Sequence, residues 1–128
     1  MIDDNLIRRH ERRVAKERDR RASLLNNTKY RELFQFFDSI GVVRGQVKTL
    51  TESRLYWTEL AEYEYVPGYT ADGCGGPIKF KEIECVLVDI PHKVSPDVIE
   101  TGLGALGQIS WEWVGDQNNQ IRIDAYSR

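Results

Sequence analysis

A change of hydrophobic spacing near residue 45 separates a helical part of this sequence from a strand-forming part. Before it, the apolar residues Tyr30, Leu33, Phe34 and Phe37 recur at intervals of three and four, which place them on one face of a helix. After it, apolar residues tend to alternate with polar ones, as they do in strands that bury one face. An amphipathic helix followed by alternating segments predicts an α+β fold.

Two helices of the globular part are predicted together with their ends. Thr28 is a suitable N-cap for a helix over residues 28–40, and Gly41 stands where helices commonly end. Ser95 followed by Pro96 predicts the start of a later helix, because serine can cap it and proline suits its first turn. The expected buried face of this later helix comprises Val98, Ile99, Leu103 and Leu106.

The alternating segments predict a mostly antiparallel sheet of about five strands. Strand-like runs begin at Gly45 and at Leu55, and the second is expected to continue through Tyr63 and Tyr65. A Gly-rich loop over residues 67–77 follows. A long strand over residues 78–90 comes next, and its alternation changes phase near Lys81-Glu82, which indicates a bulge.

The later part of the sequence predicts a central strand and a hairpin. Cys85 to Val88 is apolar on both faces, which is typical of a central strand. The hairpin brackets a polar turn, and its alternating apolar residues are Ile109, Trp111, Trp113, Ile121 and Ile123. We expect all three tryptophans, including Trp57, to lie in the core.

The N-terminal residues differ in character from the rest. Residues 3–25 are rich in helix formers but lack a continuous apolar stripe, so we predict a solvated helical arm over residues 1–26 and a single globular domain over residues 27–128. Residues 1–31 carry ten Lys/Arg against five Asp/Glu, whereas residues 32–128 carry eight against fifteen. The chain is therefore electrostatically divided.

The acidic body predicts a surface that binds a basic protein. Carboxylates and tyrosines interleave in one stretch, and tyrosine is frequent in interface hot spots. The candidate contacts are Glu59, Glu62, Tyr63, Glu64, Tyr65 and Asp72. Ordinary solvated strand faces can produce the same pattern.

The basic arm suggests a different partner. Helical spacing aligns Arg8, Arg12, Lys16 and Arg20, and such a row could follow the phosphates of a nucleic acid. Acidic residues interleave with these cations and would form local ion pairs instead. The arm could also be ordered by a second copy of the chain, which would make the protein a homo-oligomer.

No catalytic or metal-binding signature is present, so we expect a protein that is not an enzyme and needs no cofactor. Cys74 and His92 could form a nucleophilic pair, and the Gly-rich loop around Cys74 could hold an anion, but Cys85 reads as a core thiol. Carboxylate pairs such as Glu82 and Glu84 are the other candidates for chemistry. Two cysteines and one nearby histidine do not match a zinc-ligand spacing.

The sequence favours a cytoplasmic location without membrane contact. No stretch approaches the roughly 20 apolar residues of a membrane helix, and the N-terminus lacks the apolar region of a secretory signal. Two cysteines in a chain with an ample core indicate a reducing compartment.

Two segments resemble a family of small bacterial proteins of unknown function. They are NTKYRELF at residues 27–34 and GPIKFKEIE at residues 76–84, and the resemblance spans about residues 26–126. In size, acidity and lack of catalytic residues the chain also resembles the immunity proteins that neutralise bacterial polymorphic toxins. The second resemblance implies a non-catalytic inhibitor whose partner is a cognate toxin.

Overall fold

The structure, a computed structural model, describes residues 4–60, 68–70, 78–115, 117 and 119–127. Within these residues it contains three α-helices, a 3-10 turn and five strands, which confirms the predicted α+β fold. The elements are α1 (Asp4–Asp19), α2 (Asn27–Ser39), β1 (Arg44–Thr49), β2 (Leu55–Glu59), the 3-10 turn (Phe80–Glu82), β3 (Ile83–Asp89), α3 (Pro96–Ala105), β4 (Trp111–Val114) and β5 (Gln120–Asp124).

The five strands form one antiparallel sheet in the order β2-β1-β3-β5-β4. The predicted hairpin is confirmed as β4 and β5, and the predicted central strand is confirmed as β3. Among the described strands, this order leaves β2 and β4 at the two edges of the sheet.

One face of the sheet forms the hydrophobic core with α2 and α3. Val47, Val86 and Ile123 lie side by side on the neighbouring strands β1, β3 and β5, and all three are fully buried. Apolar side chains from both helices belong to the same cluster: Leu33, Phe34, Phe37, Ile99 and Leu103. The opposite face of the sheet, called the outer face below, is mixed in polarity.

The start of α2 differs from the prediction by two residues. Asn26 is the N-cap, and its Oδ1 accepts a hydrogen bond of 2.8 Å from the Lys29 backbone N–H. Thr28 therefore lies inside the helix. Asparagine and threonine are both good caps, so local preference does not decide between them. The predicted helix end is confirmed, since Gly41 has a φ of +80° immediately after the last turn.

Helix α3 begins as predicted, but its buried face is narrower. Ser95 Oγ accepts a hydrogen bond from the Asp97 N–H, and Pro96 occupies the first turn. Ile99 and Leu103 are buried, whereas Val98 is 44% exposed, so its assignment to the core is wrong. Val98 lies outside the side of α3 that packs against α2 and β4. Near that contact, Trp113 Nε1 of β4 donates to Glu100 Oε1 of α3 at 3.3 Å.

Helix α1 is shorter than predicted and is not surrounded by solvent. It ends at Asp19 rather than near residue 25, and Val14 in its middle is 4% exposed. The following segment pairs with the strand-like residues after β5: Leu24 N–H donates to Ala125 O, and Ser127 N–H donates to Ala22 O. These long-range contacts fix the helix on the body, while the predicted domain boundary at residue 26 stays a prediction.

The predicted bulge before β3 takes a different form. Residues Phe80–Glu82 make the 3-10 turn. Thr49 then pairs with Ile83 and Lys48 with Cys85, which leaves Glu84 as the extra residue. The predicted continuation of β2 and most of the Gly-rich loop lie outside the described residues. Gly68 to Thr70 pair with Ile78 to Phe80 on either side of that loop.

Candidate functional site

The outer face of the edge strand β2 carries two exposed apolar side chains. Leu55 is 40% and Trp57 45% exposed, and they lie opposite Lys48 and Gln46 of β1. The intervening Tyr56 packs on the core from the other face. Trp57 was predicted to lie in the core, and that prediction is wrong. A partly exposed tryptophan is a typical interface anchor.

Polar groups lie near both ends of β2. Arg44 Nε donates to Glu59 Oε1 at 3.0 Å, at the end of β2. Glu52 accepts a hydrogen bond from the Tyr56 hydroxyl, which raises the pKa of that phenol, and the Arg54 guanidinium lies 4.9 Å from the centre of the Tyr56 ring. On the outer face, the Arg44–Glu59 pair borders the exposed apolar side chains, as polar groups border the apolar centre of many protein interfaces.

Two rows of side chains cross the outer face from β2 toward β5. Trp57, Gln46, Leu87 and Arg122 form one row by direct pairing, and Leu55, Lys48, Cys85 and Asp124 form the other. In the second row, Cys85 is buried and Asp124 accepts from Arg122 at 2.8 Å. The accessible apolar part of this face is therefore at its β2 side.

The predicted acidic contacts are only partly described. Glu59 lies on the outer face of β2, paired with Arg44. The other five, namely Glu62, Tyr63, Glu64, Tyr65 and Asp72, lie outside the described residues. In the sequence, Glu62 to Tyr65 follow two residues after β2 ends, so the predicted acidic stretch begins beside Trp57 along the chain.

Helix α1 contacts the body through one side. His10 Nε2 lies 3.0 Å from Glu82 Oε1, Arg13 donates to Thr51 O at 3.3 Å, and Arg18 Nε donates to the Tyr126 hydroxyl at 3.1 Å. Together with the buried Val14, these residues lie along one side of the helix. The opposite side therefore faces away from the body.

The predicted row of cations is brought together in part. Arg8, Arg12 and Lys16 lie on the side of α1 that faces away from the body, and all three are exposed. Within the described residues none of them forms an ion pair. Arg20 does not join them, because the helix ends at Asp19 and Arg20 pairs with Glu17 at 3.3 Å.

Glu84 joins α1 to the sheet. Its carboxylate accepts hydrogen bonds from Lys48 of β1 and from Arg21 in the segment after α1. Partial burial of this carboxyl raises its pKa, but the two cationic donors outweigh burial and hold the pKa below its usual value. Glu82 and Glu84 are thus engaged in holding α1, rather than forming a free carboxylate pair.

Cys85 and His92, two candidates for chemistry that the structure describes, differ in exposure. Cys85 is buried, and burial raises the pKa of its thiol. His92 is exposed in the turn before α3, and Cys74 lies outside the described residues. In the described part of the chain no cluster of three or more His, Cys, Asp or Glu could hold a metal ion. That part also contains no helix with the length and apolar character needed to cross a bilayer.

Sequence reasoning missed the exposed side of β2 for a specific reason. In LYWTE, Leu55 and Trp57 alternate with Tyr56 and Thr58, so either pair could have faced the core. Hydrophobicity favours burying Leu55 and Trp57, yet the structure buries Thr58 opposite Gly45. The position of β2 at the sheet edge leaves room for this orientation, because Leu55 and Trp57 are then partly exposed.

Comparison of the chain with models of known protein families, with curated proteins and with solved structures finds no match.

Proposed function

We propose that this chain is a non-catalytic protein-binding protein of the inhibitor or immunity type, which covers a basic partner with its β2 side. The single observation that carries the proposal is the exposure of Trp57 beside Leu55 on an edge strand. Tryptophan is the residue most enriched among interface hot spots, and a site of this kind becomes dry when a partner covers it.

The negative net charge of residues 32–128 favours a basic partner. Residues 32–128 carry an excess of seven negative charges, and two carboxylates with two tyrosines follow β2 after two intervening residues. A basic partner would be attracted to this side of the molecule, and the attraction would speed association. A bacterial toxin acting on nucleic acid has the required charge. A cytoplasmic location belongs to the same proposal, because such a toxin must be neutralised where it is made.

The test is binding and inhibition measured with the full chain. The tagged protein is purified from its native host, and a retained protein counts only if it is identified, basic and bound one to one. We expect Trp57→Ala to weaken its binding about thirtyfold or more. Val98→Ala is the matched control, since Val98 is equally exposed on α3, on the other side of the sheet. The partner's activity should fall in proportion to the bound fraction.

Two results would contradict this proposal. One is an identified partner that binds the Trp57 variant as tightly as the unchanged protein. The other is a chain that is recovered alone, with no toxin-like gene beside its own.

A second candidate function rests on the outward row of α1. Arg8, Arg12 and Lys16 are exposed and form no ion pair with a described residue, so they could follow the phosphates of a nucleic acid. Binding to a random-sequence duplex DNA and to a single-stranded RNA tests this. The logarithm of the affinity falls linearly with the logarithm of the salt concentration, and replacing all three residues by Gln should reduce the magnitude of this slope by about two to three. Replacing Arg44, Arg54 and Lys93 by Gln removes the same charge elsewhere and should leave the slope unchanged.

A further inference from the structure

The edge of β2 that faces away from β1 presents backbone groups as well as side chains. Leu60 N–H donates to Val43 O, and hydrogen bonding between antiparallel strands alternates along each strand. Tyr56 and Thr58 therefore direct their backbone groups toward β1. Three residues of β2 direct their N–H and C=O groups away from β1: Leu55, Trp57 and Glu59. Among the described residues, these outward groups have no hydrogen-bond partner.

The side chains of β2 do not protect this edge. Natural edge strands are commonly kept from pairing by lysine, proline or an inward-pointing charge. No such residue stands between Leu55 and Thr58, and the charge at the end of the strand is engaged, because Arg44 Nε donates to Glu59 Oε1 at 3.0 Å. Leu55 and Trp57 present apolar side chains on the outer face instead. An edge of this kind is a template for another strand.

A second copy of β2 matches this edge when Trp57 lies on a two-fold axis. In that antiparallel register Trp57 would face its own copy, and Leu55 would face Glu59 of the second copy. All the outward N–H groups of one strand would then meet outward C=O groups of the other. The two indole rings would lie side by side on the outer face, where aromatic cross-strand pairs are favourable. The net charge of −2 per chain leaves little repulsion between the copies.

The other edge strand, β4, does not match a second copy of itself in this way. Asp124 N–H donates to Ser110 O between β5 and the residue before β4. By the same alternation, the backbone groups of Trp111 and Trp113 point away from β5. Pairing both residues with a second β4 would place the exposed Glu112 directly opposite its own copy. Like charges in that position are destabilising, so the pairing of two copies is favoured at β2.

We propose that two copies of this chain pair through β2 and form a two-fold dimer with one continuous antiparallel sheet. The contact is one short strand from each copy, so it belongs to the small and weak class of interfaces and forms reversibly. This inference goes beyond the proposed function and does not depend on it. A basic partner that covers the β2 side would have to displace the second copy, so the dimer would compete with partner binding.

Sedimentation equilibrium of the full chain, from micromolar to millimolar concentration, tests the pairing. We expect a reversible change from monomer to dimer. Trp57→Lys places two like charges at the two-fold axis and should abolish the dimer. Val98→Lys changes an equally exposed apolar residue on α3, and Leu6→Lys changes a 59% exposed residue that could serve a dimer formed through α1. Both controls should dimerise like the unchanged protein. A monomer at every concentration, or a dimer that survives Trp57→Lys, would overturn the proposal.

Amide hydrogen exchange locates the contact without any substitution. The amides of Leu55, Trp57 and Glu59 become hydrogen-bonded in the dimer, so their exchange should slow as the protein concentration rises. The amides of Trp111 and Trp113 at the other edge should exchange at the same rate throughout. Concentration-dependent protection of β4 or α1 in place of β2 would also overturn the proposal. Both measurements use this chain alone, so a negative result would not bear on the proposed basic partner.

Discussion

Gly102 of α3 lies directly against the ring of Phe36 in α2, so that a Cβ atom at Gly102 would come within 2.1 Å of Phe36 Cε1. The two helices run in opposite directions here, since Lys29 at the start of α2 donates to Leu106 O at the end of α3. The absence of a side chain at Gly102 thus sets how closely the helices pack over the sheet.

The first prediction concerns this contact. Gly104 lies in the same helix, and a Cβ there would meet nothing within 4 Å. Gly104→Ala should therefore stabilise the fold by about 0.5–1 kcal/mol through helix propensity alone. Gly102→Ala has the same intrinsic gain but must displace Phe36, so we expect it to be at least about 1 kcal/mol less stable than Gly104→Ala. Urea unfolding measures both, and equal stabilities would contradict the contact.

The second prediction concerns Glu84, which holds Lys48 and Arg21 together. Glu84→Gln should lower the free energy of unfolding by about 1–3 kcal/mol, since both hydrogen bonds involve charged donors. Glu32→Gln breaks the more exposed pair with Lys29 and should cost about 0.5 kcal/mol or less.

The same carboxyl makes stability depend on pH in a defined direction. Because its pKa is lower in the folded than in the unfolded protein, the unfolded chain binds the proton more readily. The stabilisation is therefore complete above the unfolded-state pKa and disappears as the pH falls through the folded-state pKa. Chemical denaturation across the acidic range should show this decline, and Glu84→Gln should make it shallower. An unchanged decline in the variant would exclude Glu84 as its source.

The third prediction concerns the attachment of α1. Val14 is its buried residue, so Val14→Ala should cost about 1–2 kcal/mol, whereas Ala15→Ser on the exposed neighbour should cost much less. Hydrogen exchange of α1 amides should accelerate in the Val14 variant relative to α2, because the loss is local. Equal acceleration in both helices would indicate that the two unfold as one unit.

The fourth prediction concerns Cys85. In a Cys74→Ser background, which leaves a single cysteine, the native protein should react with a thiol reagent no faster than it unfolds, since this thiol is buried and its pKa is raised. Denaturant should accelerate the reaction. A fast reaction of the native variant would show that the outer face near β3 opens.

Helices and strands that depend on the spacing of their own residues could be predicted from the sequence. The exposure of single side chains and the contacts between distant elements could not. The α2 stripe, the Ser95-Pro96 start and the β4–β5 alternation each depend on local spacing, and the structure contains all three. Trp57 and Val98 were misassigned because exposure depends on which element comes to lie above them. The partners of α1 lie 38–108 residues away, so no local pattern could indicate them.

The candidate sites follow the same division. The aligned cations of α1 were visible in the sequence because one helix carries them. The exposed side of β2 was not, because it depends on which strand comes to lie at the edge of the sheet.

The pairing of residues 22–24 with residues 125–127 has a consequence for synthesis on the ribosome. Ala22 N–H donates to Ser127 Oγ across 105 positions, so the segment after α1 cannot complete its pairing until nearly all the described residues have emerged. Completion of the native state should thus be slow for a chain of this size, because closure of so long a loop precedes any gain from the contacts it brings together.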